Sequence, residues 1–597
     1  MKTKYILVTA IWVTIAFTLG SFCSCTPEPP IPPAPPIPPT PSQSKSQAAS
    51  QGTSVTPAST ADVPVGERQP QPLGFPSKAD KQDEIALSFL GIGINAFEYN
   101  YPFPSKKERI ATTTDCRIFP INRTSQTELY GSTFAEFAEQ AASNLGLEAS
   151  YNNIRATFTT EKGSGKLNNQ RRHVMQIQNT TTIKNIVLSD DSLQLMQHLT
   201  PEFKKAINTM SPQKLFKLYG THIMREVAIG GEVALKFESA DTTNISKESF
   251  QKEARLIFKA AGSDFSTTTA ATTFSVSQGV VRGGSPEAGN MLSNERTVEN
   301  WHRWAKSLPE YPQLLTPDKG SFIPIWELTE DTSKRNELRD AYLLEVARNP
   351  RVVIFEAPGL PASKSEAQVS IPKHYKLLSG GARIDWTGCG HLLTASFPEN
   401  EQTWRALGKD HKYPSPAAIT VFAVTLYDPE NIWETKVFSN TWGKDHLPTA
   451  KVEVPPEYVM VGGGAKVNYD GSGNMLTESY PVTENTWAAA SKDQGWADPA
   501  TVTVYAVGLK SKLPNFSRPR TEITKSDSPS LAFPTATISS GKGIMTGGGA
   551  KVNPSRWGSF MTASYPKNEH TWNASSKEHI WESPAVITTY RLGLIID

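Results

Sequence analysis

The alternation of apolar and polar residues between about residues 82 and 360 predicts a mixed α and β domain. Two short helices are indicated where Thr200 and Ser211 each precede a proline, because a hydroxyl side chain caps a helix and proline suits its first turn. The second helix is expected to end at Gly220, which tolerates the left-handed backbone of a helix end. Strict alternation in residues 233–238, VALKFE, then predicts a strand.

From about residue 368 to Asp597 the chain repeats itself three times, with an opening GG and a later Trp in each unit. Landmark alanines and tryptophans recur at spacings of 83 and 85 residues, as Ala382, Ala465, Ala550 and as Trp404, Trp487, Trp572. The units, about 369–450, 451–535 and 536–597, are rich in Val, Ile, Thr and Tyr with glycine-rich turns. They predict an all-β domain with pseudo-threefold symmetry, for which three sheets closed like a prism are one arrangement.

The first 24 residues have the layout of a secretory signal, with lysines before a short apolar run and then the sequence GSFCSC. A cysteine at the cleavage point resembles a lipoprotein signal, in which that cysteine is acylated. Cys25 follows a small serine, whereas Cys23 follows the bulky Phe22, so Cys25 is the predicted lipidation site. The alternative is an uncleaved membrane anchor, for which the apolar run is short.

Residues 25–81 are rich in proline and small polar residues, a composition that favours extended polyproline geometry over helix or sheet. At about 3.1 Å per residue, such a segment would reach at most roughly 150 Å. We therefore expect a tether between the lipid and the folded domains.

Composition excludes some classes of function. The formal net charge is +2 over 597 residues, which gives no strong field toward nucleic acid. The isolated Cys116 and Cys389 are expected to be buried single thiols. No CxxC pair or HExxH helix is present, so no metal site and no cofactor is predicted.

One short motif stands where the second predicted helix meets the strand. It reads YGTH and is followed by a glycine pair, and a second pair occurs in VVRGGSPE ahead of ENWHRWAKSLPEYP. The residues concerned are Tyr219, Gly220, Thr221, His222, Gly230, Gly231, Gly283 and Gly284. This order resembles the membrane-attack-complex/perforin (MACPF) family, and the whole chain resembles secreted antimicrobial MACPF lipoproteins of gut bacteria.

The resemblance implies an α+β domain with a bent four-stranded antiparallel sheet and flanking helical clusters. In the family these clusters unfurl into hairpins that cross the target membrane. The resemblance also implies that the glycine pairs let the sheet bend. His222 then has a buried structural or hinge role rather than a catalytic one, since no Ser, Cys or Asp pattern accompanies it.

A segment that switches from helix to strand must satisfy both periods, and residues 247–276 do so in part. As a strand, the predicted membrane-inserting side carries Phe250, Ala254, Leu256, Phe258 and Ala260. An amphipathic surface helix that never inserts is the alternative. The other switching segment should lie within residues 134–178, although its sequence KLNNQRRHVMQIQ is polar and basic.

The three repeat tryptophans allow two interpretations. Trp404, Trp487 and Trp572 either form the core of the repeats or stack against bound sugars, and the core is the usual place for such residues. The sequences GIGINA and GSGKLN lack residues that nucleotide-binding loops require, so no enzyme is predicted.

The sequence thus predicts an exported protein, lipid-anchored to the bacterial outer membrane or cell surface or released from it. It would oligomerise into rings or arcs on a target membrane and form a pore, with the repeat domain recognising lipid or surface glycan. The rival hypothesis is a non-lytic surface lipoprotein that binds glycan or another surface ligand.

Overall fold

The computed structural model describes residues 81–597 except 115, 152, 155–172, 189–190, 240–245, 261–273, 389, 472, 554–557 and 597. The predicted signal, Cys25 and the tether lie outside the described residues, as does Cys389. The described chain folds into a domain built on a bent sheet, followed by a domain of three β-sheets.

The bent-sheet domain is built from helices and strands that alternate along the chain. Its helices are α1 Lys81–Phe89, α2 Phe134–Leu145, α3 Ser192–Gln197, α4 Pro201–Thr209, α5 Pro212–Tyr219, α6 Lys247–Ala260, α7 Pro286–Asn294, α8 Val298–Ser307 and α9 Thr332–Arg348. Its strands are β1 Gly93–Ile94, β2 Arg117–Gly131, β3 Val174–Val187, β4 His222–Met224, β5 Glu226–Ser239, β6 Phe274–Arg282, β7 Gln313–Leu314 and β8 Phe322–Pro324.

The central sheet has the order β2-β3-β5-β6 with antiparallel neighbours, and the short β7 pairs with β5 beside this path. The four-stranded core confirms the predicted fold. A smaller sheet of order β1-β4-β8 lies at the start of β5. Helices α6, α7 and α8 cover one face of the central sheet, where Val233, Leu235 and Phe237 point.

Local predictions at the helix ends are mostly confirmed. The Thr200 hydroxyl accepts a hydrogen bond from the Phe203 amide at 3.2 Å, and Gly220 has a φ of +79°. Ser211, in contrast, makes no side-chain capping bond, so that part of the prediction is wrong.

The strand predicted over residues 233–238 is confirmed, since it lies within β5. Lys236 and Glu238, on the face opposite Val233, Leu235 and Phe237, are both buried and form an ion pair at 3.1 Å. The Lys236 ammonium also lies 5.2 Å from the ring centre of Phe134 in α2. The second face of the sheet is therefore also packed against a helix, α2. The alternation of apolar and polar residues in the strand does not indicate this packing.

In the described residues after α9, the elements of regular secondary structure are all strands. They are β9 Val352–Pro358, β10 Lys364–Ser370, β11 Tyr375–Asp385, β12 His391–Asn400, β13 Thr403–Asp410, β14 Ala418–Tyr427, β15 Trp433–Asp445, β16 Thr449–Glu453, β17 Val459–Asn468, β18 Asn474–Thr483, β19 Thr486–Asp493, β20 Ala500–Ser511, β21 Arg520–Asp527, β22 Thr535–Ile538, β23 Ile544–Asn553, β24 Ser559–Asn568, β25 Thr571–Glu578 and β26 Val586–Ile595.

These strands form three antiparallel six-stranded sheets around a pseudo-threefold axis, which we call the prism. The sheet orders are β10-β13-β12-β17-β20-β15, β16-β19-β18-β23-β26-β21 and β22-β25-β24-β11-β14-β9. Each sheet combines two three-stranded units. In the first sheet, β10-β13-β12 belongs to the first repeat, and its neighbours β17 and β20 belong to the second. The third repeat pairs back onto the first, through β24 and β11. No repeat can therefore complete a sheet alone.

The repeat tryptophans pack on the repeat glycines. A β-carbon added to Gly380 would lie 2.4 Å from the indole of Trp404, and Gly463 with Trp487 and Gly548 with Trp572 show the same distance. Each indole N–H donates to a serine hydroxyl, at 3.0 Å, 3.1 Å and 3.0 Å respectively, and the serines are Ser396, Ser479 and Ser564. All three tryptophans are fully buried, which corrects the sugar-stacking interpretation: no indole face is open to a ligand.

The junction between the domains lies earlier than the sequence indicated. Strand β9 pairs with β14 of the prism, although the repeat domain was expected to begin near residue 368. At the junction the buried Arg351 guanidinium donates to the Glu148 carbonyl at 2.8 Å, and the rings of Tyr151 and Tyr427 stack at 4.9 Å. One hydrophobic core runs through this contact from the first domain into the prism.

A fragment of residues 351–597 should therefore fold with one cooperative thermal transition, because it keeps every strand of the prism. A fragment of residues 369–597 lacks β9 and nearly all of β10 and exposes the core that β9 covers on β14. We expect it to unfold at a clearly lower temperature or to aggregate, as circular dichroism would measure. Equal stability of the two fragments would contradict this domain boundary.

Candidate functional site

The YGTH motif joins the small sheet to the central one. Tyr219 ends α5, Gly220 turns the chain, and His222 begins β4. A single residue separates the end of β4 from the start of β5. A β-carbon on Gly220 would lie 2.2 Å from the Ile94 carbonyl oxygen, so only glycine fits this turn. The Thr221 hydroxyl accepts the Ala96 amide at 3.0 Å, which ties the motif to the chain that follows β1.

His222 is a core residue. Its ring lies against Trp326 and Tyr342, with ring centres 5.6 Å and 6.0 Å away, and its Nδ1 lies 2.9 Å from the Thr221 hydroxyl. Burial lowers its pKa to about 3, so the imidazole is neutral near pH 7. The side chain is buried and cannot reach a substrate, which fits a structural role.

The two glycine pairs meet at one place, which we call the glycine corner: Gly230, Gly231, Gly283 and Gly284. A β-carbon on Gly231 would lie 2.3 Å from Leu308, and one on Gly284 would lie 2.4 Å from Trp304. Gly283 and Gly284 also have φ angles of +74° and +76°. The Trp304 indole N–H donates to the Gly283 carbonyl at 2.7 Å.

Close packing, rather than open space, is the reason for glycine at this corner. Trp304 of α8 lies directly on backbone that carries no β-carbon, and this contact clamps α8 to the sheet. Any change in the bend must therefore move Trp304. The hinge role remains a prediction, and Trp304 is a functional candidate that the sequence pattern ENWHRWAKS could have suggested.

Helix α6, the predicted inserting segment, is held by a small apolar cluster separate from the main core. Phe250, Ala254 and Phe258 are buried against the central sheet. The sheet residues of this cluster are Tyr130, Met175, Ile177, Leu235 and Phe237. Leu256 is instead 57% exposed on the helix, and the side chain of Ala260 lies outside the described residues.

One ion pair adds to the attachment of α6. Arg255 and Glu128 form a two-pronged contact, with Nη2 to Oε2 at 2.8 Å and Nε to Oε1 at 3.1 Å. Both side chains are partly exposed, so the pair contributes at most about 1 kcal/mol. Apolar packing is therefore the main attachment of α6.

The second face of the central sheet borders a cavity of about 390 Å³ next to α2, and many side chains that line it are polar. Buried Glu232 lies at this face and accepts hydrogen bonds from Arg282 at 2.8 Å, Gln178 at 3.2 Å and the Thr316 hydroxyl at 2.9 Å. The sheet thus has one apolar face under α6, whereas its other face carries polar side chains beside apolar ones that join the main core.

The described residues contain a buried thiol but neither a metal-binding cluster nor a membrane-spanning helix. Cys116 is buried, as predicted. Within the described ranges no group of His, Cys, Asp and Glu has the arrangement of a metal site. Across those same ranges, no helix has both the length and the apolar character needed to cross a bilayer.

Gly284→Ala should lower the stability of the bent-sheet domain by about 2–3 kcal/mol, because it adds a clash with Trp304 to an unfavourable φ. Gly289→Ala is the matched control: its nearest neighbour would be 3.8 Å away, and in α7 alanine is favoured over glycine by about 1 kcal/mol. Thermal unfolding of both variants is the measurement. Equal effects would contradict the packing at the glycine corner.

His222 should make the domain sensitive to acid. Between its ordinary pKa near 6.5 and its folded value of about 3, the unfolded chain binds a proton that the folded one excludes. Stability should thus fall with decreasing pH by about 1.4 kcal/mol per pH unit from this group. Urea unfolding at pH 7 and pH 5 should show a smaller loss in His222→Gln; parallel losses would contradict the assignment.

Comparison with known proteins identifies the first domain. The MAC/Perforin domain model matches residues 123–343. No curated protein sequence matches the chain.

Solved structures that align with the chain include GNIP1Aa from Chromobacterium piscinae, at 14% identity and a TM-score of 0.38 over 62% of this chain and 77% of that one. A putative cell invasion protein with a MAC/Perforin domain from Bacteroides thetaiotaomicron aligns at 15% identity and a TM-score of 0.35, over 48% and 64%. Astrotactin-2, a vertebrate-specific perforin-like membrane protein, aligns at 10% identity and a TM-score of 0.27, over 55% and 66%.

The family match begins within β2 and ends within α9, so it spans the central sheet, the helices on its apolar face and the glycine corner. Residues 123–343 therefore belong to the MAC/Perforin (MACPF) family of domains.

Proposed function

We propose that this protein is an exported, perforin-like pore former, anchored through an acylated Cys25 to the bacterial outer membrane or cell surface. It assembles into rings or arcs on a target membrane, and the prism selects the target. The MACPF domain supports the class of activity. The single observation that carries the pore-forming step is the position of α6.

Helix α6 lies in the connection between two strands that are neighbours in the central sheet. Strands β5 and β6 are antiparallel, and their last pair is Ser239 opposite Phe274. The connection, residues 240–273, contains α6. If it became extended, both strands would lengthen from the existing sheet without any change in topology.

The register of β5 and β6 defines the hairpin that would form. Phe237 lies opposite Val276 and Glu238 opposite Ser275, so the same register continued would place the turn of the hairpin at Leu256 and Ile257. Each arm would have 17 residues beyond the sheet. At about 3.3 Å per residue this is roughly 55 Å, and a membrane-crossing strand needs about 9–11 residues.

This register changes the set of lipid-facing residues. Residues opposite one another share a face, so Phe250, Ala254, Leu256 and Ile257 would lie together on one side. Phe258 and Ala260 would fall on the other side, opposite Arg255 and Glu253. The other side of the first arm carries Lys247, Ser249, Gln251, Glu253 and Arg255. A hairpin between lipid and water requires an apolar and a polar face. The side of Phe250 meets this requirement only in part, because Glu248, Lys252 and Lys259 would lie on the same side.

The energy needed to release α6 is modest. Phe250 and Phe258 contribute most of its buried apolar surface, at about 2–3 kcal/mol each. In the hairpin, Phe250 would regain its burial free energy by contact with lipid, whereas Phe258 would lose its burial free energy on the polar side. Contact with a second copy or with the membrane surface would then have to offset the loss at Phe258.

The other connection of the sheet favours the rival function, a surface protein that binds without lysis. Residues 132–173 join β2 to β3 and contain α2, whose Phe134, Phe137 and Leu145 lie in the main core. Tyr151 in the same connection stacks on Tyr427 of the prism. Releasing this segment would break the contact between the domains, so a MACPF domain that stays folded is the second candidate.

Locking α6 to the sheet separates the two functions. In the mature chain with Cys25→Ser, Cys116→Ala and Cys389→Ala, the Glu128–Arg255 ion pair is replaced by cysteines and bridged with a short reversible bis-thiosulfonate reagent. The bridge forbids release of α6, so dye leakage from vesicles of phosphatidylethanolamine and phosphatidylglycerol should stop. A reductant that removes the bridge should restore the leakage.

The matched control is the Glu299–Arg303 pair within α8, which is also an exposed carboxylate–guanidinium pair, at 3.0 Å. A bridge there joins two residues of one helix and should leave leakage unchanged. If the protein bridged at positions 128 and 255 leaks as fast as the reduced protein, α6 does not insert. The binding function then replaces the pore-forming one.

A further inference from the structure

The end of the prism far from the MACPF domain carries an open groove. Strand β14 ends at Tyr427 beside the MACPF domain and begins at Ala418 at the far end. In the other repeats, the loops before the equivalent strands β20 and β26 carry Trp496 and Trp581. Both indoles line a groove of about 900 Å³.

These two tryptophans differ from the buried ones that mark the repeats. Trp496 is 51% exposed and Trp581 is 46% exposed. They occupy one repeat position, in the sequences DQGW and EHIW, where the first repeat has Tyr413 in DHKY. The groove lies where the second and third repeats meet, so two indoles border it.

Between the indoles, several polar side chains interrupt the apolar lining of the groove. It is lined by the carboxylates Glu478 and Asp493 and by the hydroxyls Thr449, Thr477 and Ser491. Ser491 is 2% exposed, and among the described residues its hydroxyl has no hydrogen-bond partner. A buried hydroxyl of this kind requires a partner from water or from a ligand.

Most charges in the groove are paired, and the one further cation in its lining, Lys492, is buried with its ammonium 4.6 Å from the ring centre of Phe560. Glu478 lies 3.4 Å from the Lys551 ammonium, and the His446 ring donates to Asp493 at 2.5 Å, which raises the pKa of His446. An anionic headgroup would meet both carboxylates and be repelled. A neutral ligand with many hydroxyl groups would instead find acceptors in the carboxylates and apolar surface on the indoles.

We propose that this groove binds a neutral glycan, with pyranose rings stacked on Trp496 and Trp581 and hydroxyl groups bound to Asp493, Glu478 and Ser491. The inference rests on the proposed role of the prism in target recognition and names the ligand class. The glycan would be held at the end of the molecule farthest from the MACPF domain.

The test uses the full mature chain with Cys25→Ser on an array of neutral and anionic glycans, followed by calorimetry with the strongest neutral glycan. Trp496→Ala and Trp581→Ala should each weaken binding roughly tenfold or more. Ser491→Ala should weaken it less, with an unchanged unfolding temperature. Trp442→Ala is the matched control: that indole is 62% exposed on β15 and does not line the groove, so binding should be unchanged.

Several results would overturn the proposal: no neutral glycan bound, preference for anionic glycans, or an equal loss in Trp442→Ala. The proposal would also be overturned if Trp496→Ala no longer bound vesicles of phosphatidylethanolamine and phosphatidylglycerol that carry no glycan. That result would assign the indoles to membrane contact. The array contains no membrane, so failure of pore formation does not alter its result. Glycan binding without leakage would support the groove and remove only the lytic function.

Discussion

An indole packed on backbone without a β-carbon is the contact on which both domains depend. It occurs three times in the prism, where Trp404, Trp487 and Trp572 lie on repeat glycines, and once in the MACPF domain, where Trp304 lies on the glycine corner. In each case the nearest β-carbon position would be about 2.4–2.5 Å from the ring, so the glycine and the tryptophan require each other. A large apolar surface is buried at one place, and the backbone there is fixed in position.

The main hydrophobic core is shared by both domains, whereas the helices on the apolar face of the sheet pack on clusters of their own. One hydrophobic core extends through the junction at Tyr151 and Tyr427 and includes the interior of the prism. Helix α6 and the pair α7–α8 lie outside it, on separate small clusters against the apolar face of the sheet. A ligand held at the far end of the prism is therefore connected to the central sheet through one continuous core, and the segment proposed to insert lies outside that core.

The sequence predicted the features that repeat or that follow from local backbone chemistry. The three repeats, the caps at Thr200 and Gly220, and the MACPF motif all gave correct expectations of fold. The pairing of repeats across sheets was beyond prediction, because strand partners are set by contacts between distant residues. For the same reason β9 was assigned to the wrong domain.

The least predictable feature was whether a side chain is buried or exposed, and on which face of a strand it lies. Trp404 and Trp496 are both repeat tryptophans, yet one is buried under a glycine strand and the other is half exposed beside a groove. Lys236 and Glu238 alternate with apolar residues as in an open sheet, but α2 covers them. The face of Phe258 in a hairpin depends on the register of β5 with β6, which residue spacing does not contain. Burial and register are properties of the assembled fold.

Electron cryomicroscopy of the protein assembled on vesicles tests the central claim most directly. The account predicts rings or arcs in which β5 continues past Ser239 and β6 continues before Phe274, paired in one register with the turn at Leu256 and Ile257. Trp304 should still contact the glycine corner or have moved together with α8. Assemblies in which residues 247–260 remain a helix on the central sheet would contradict the account.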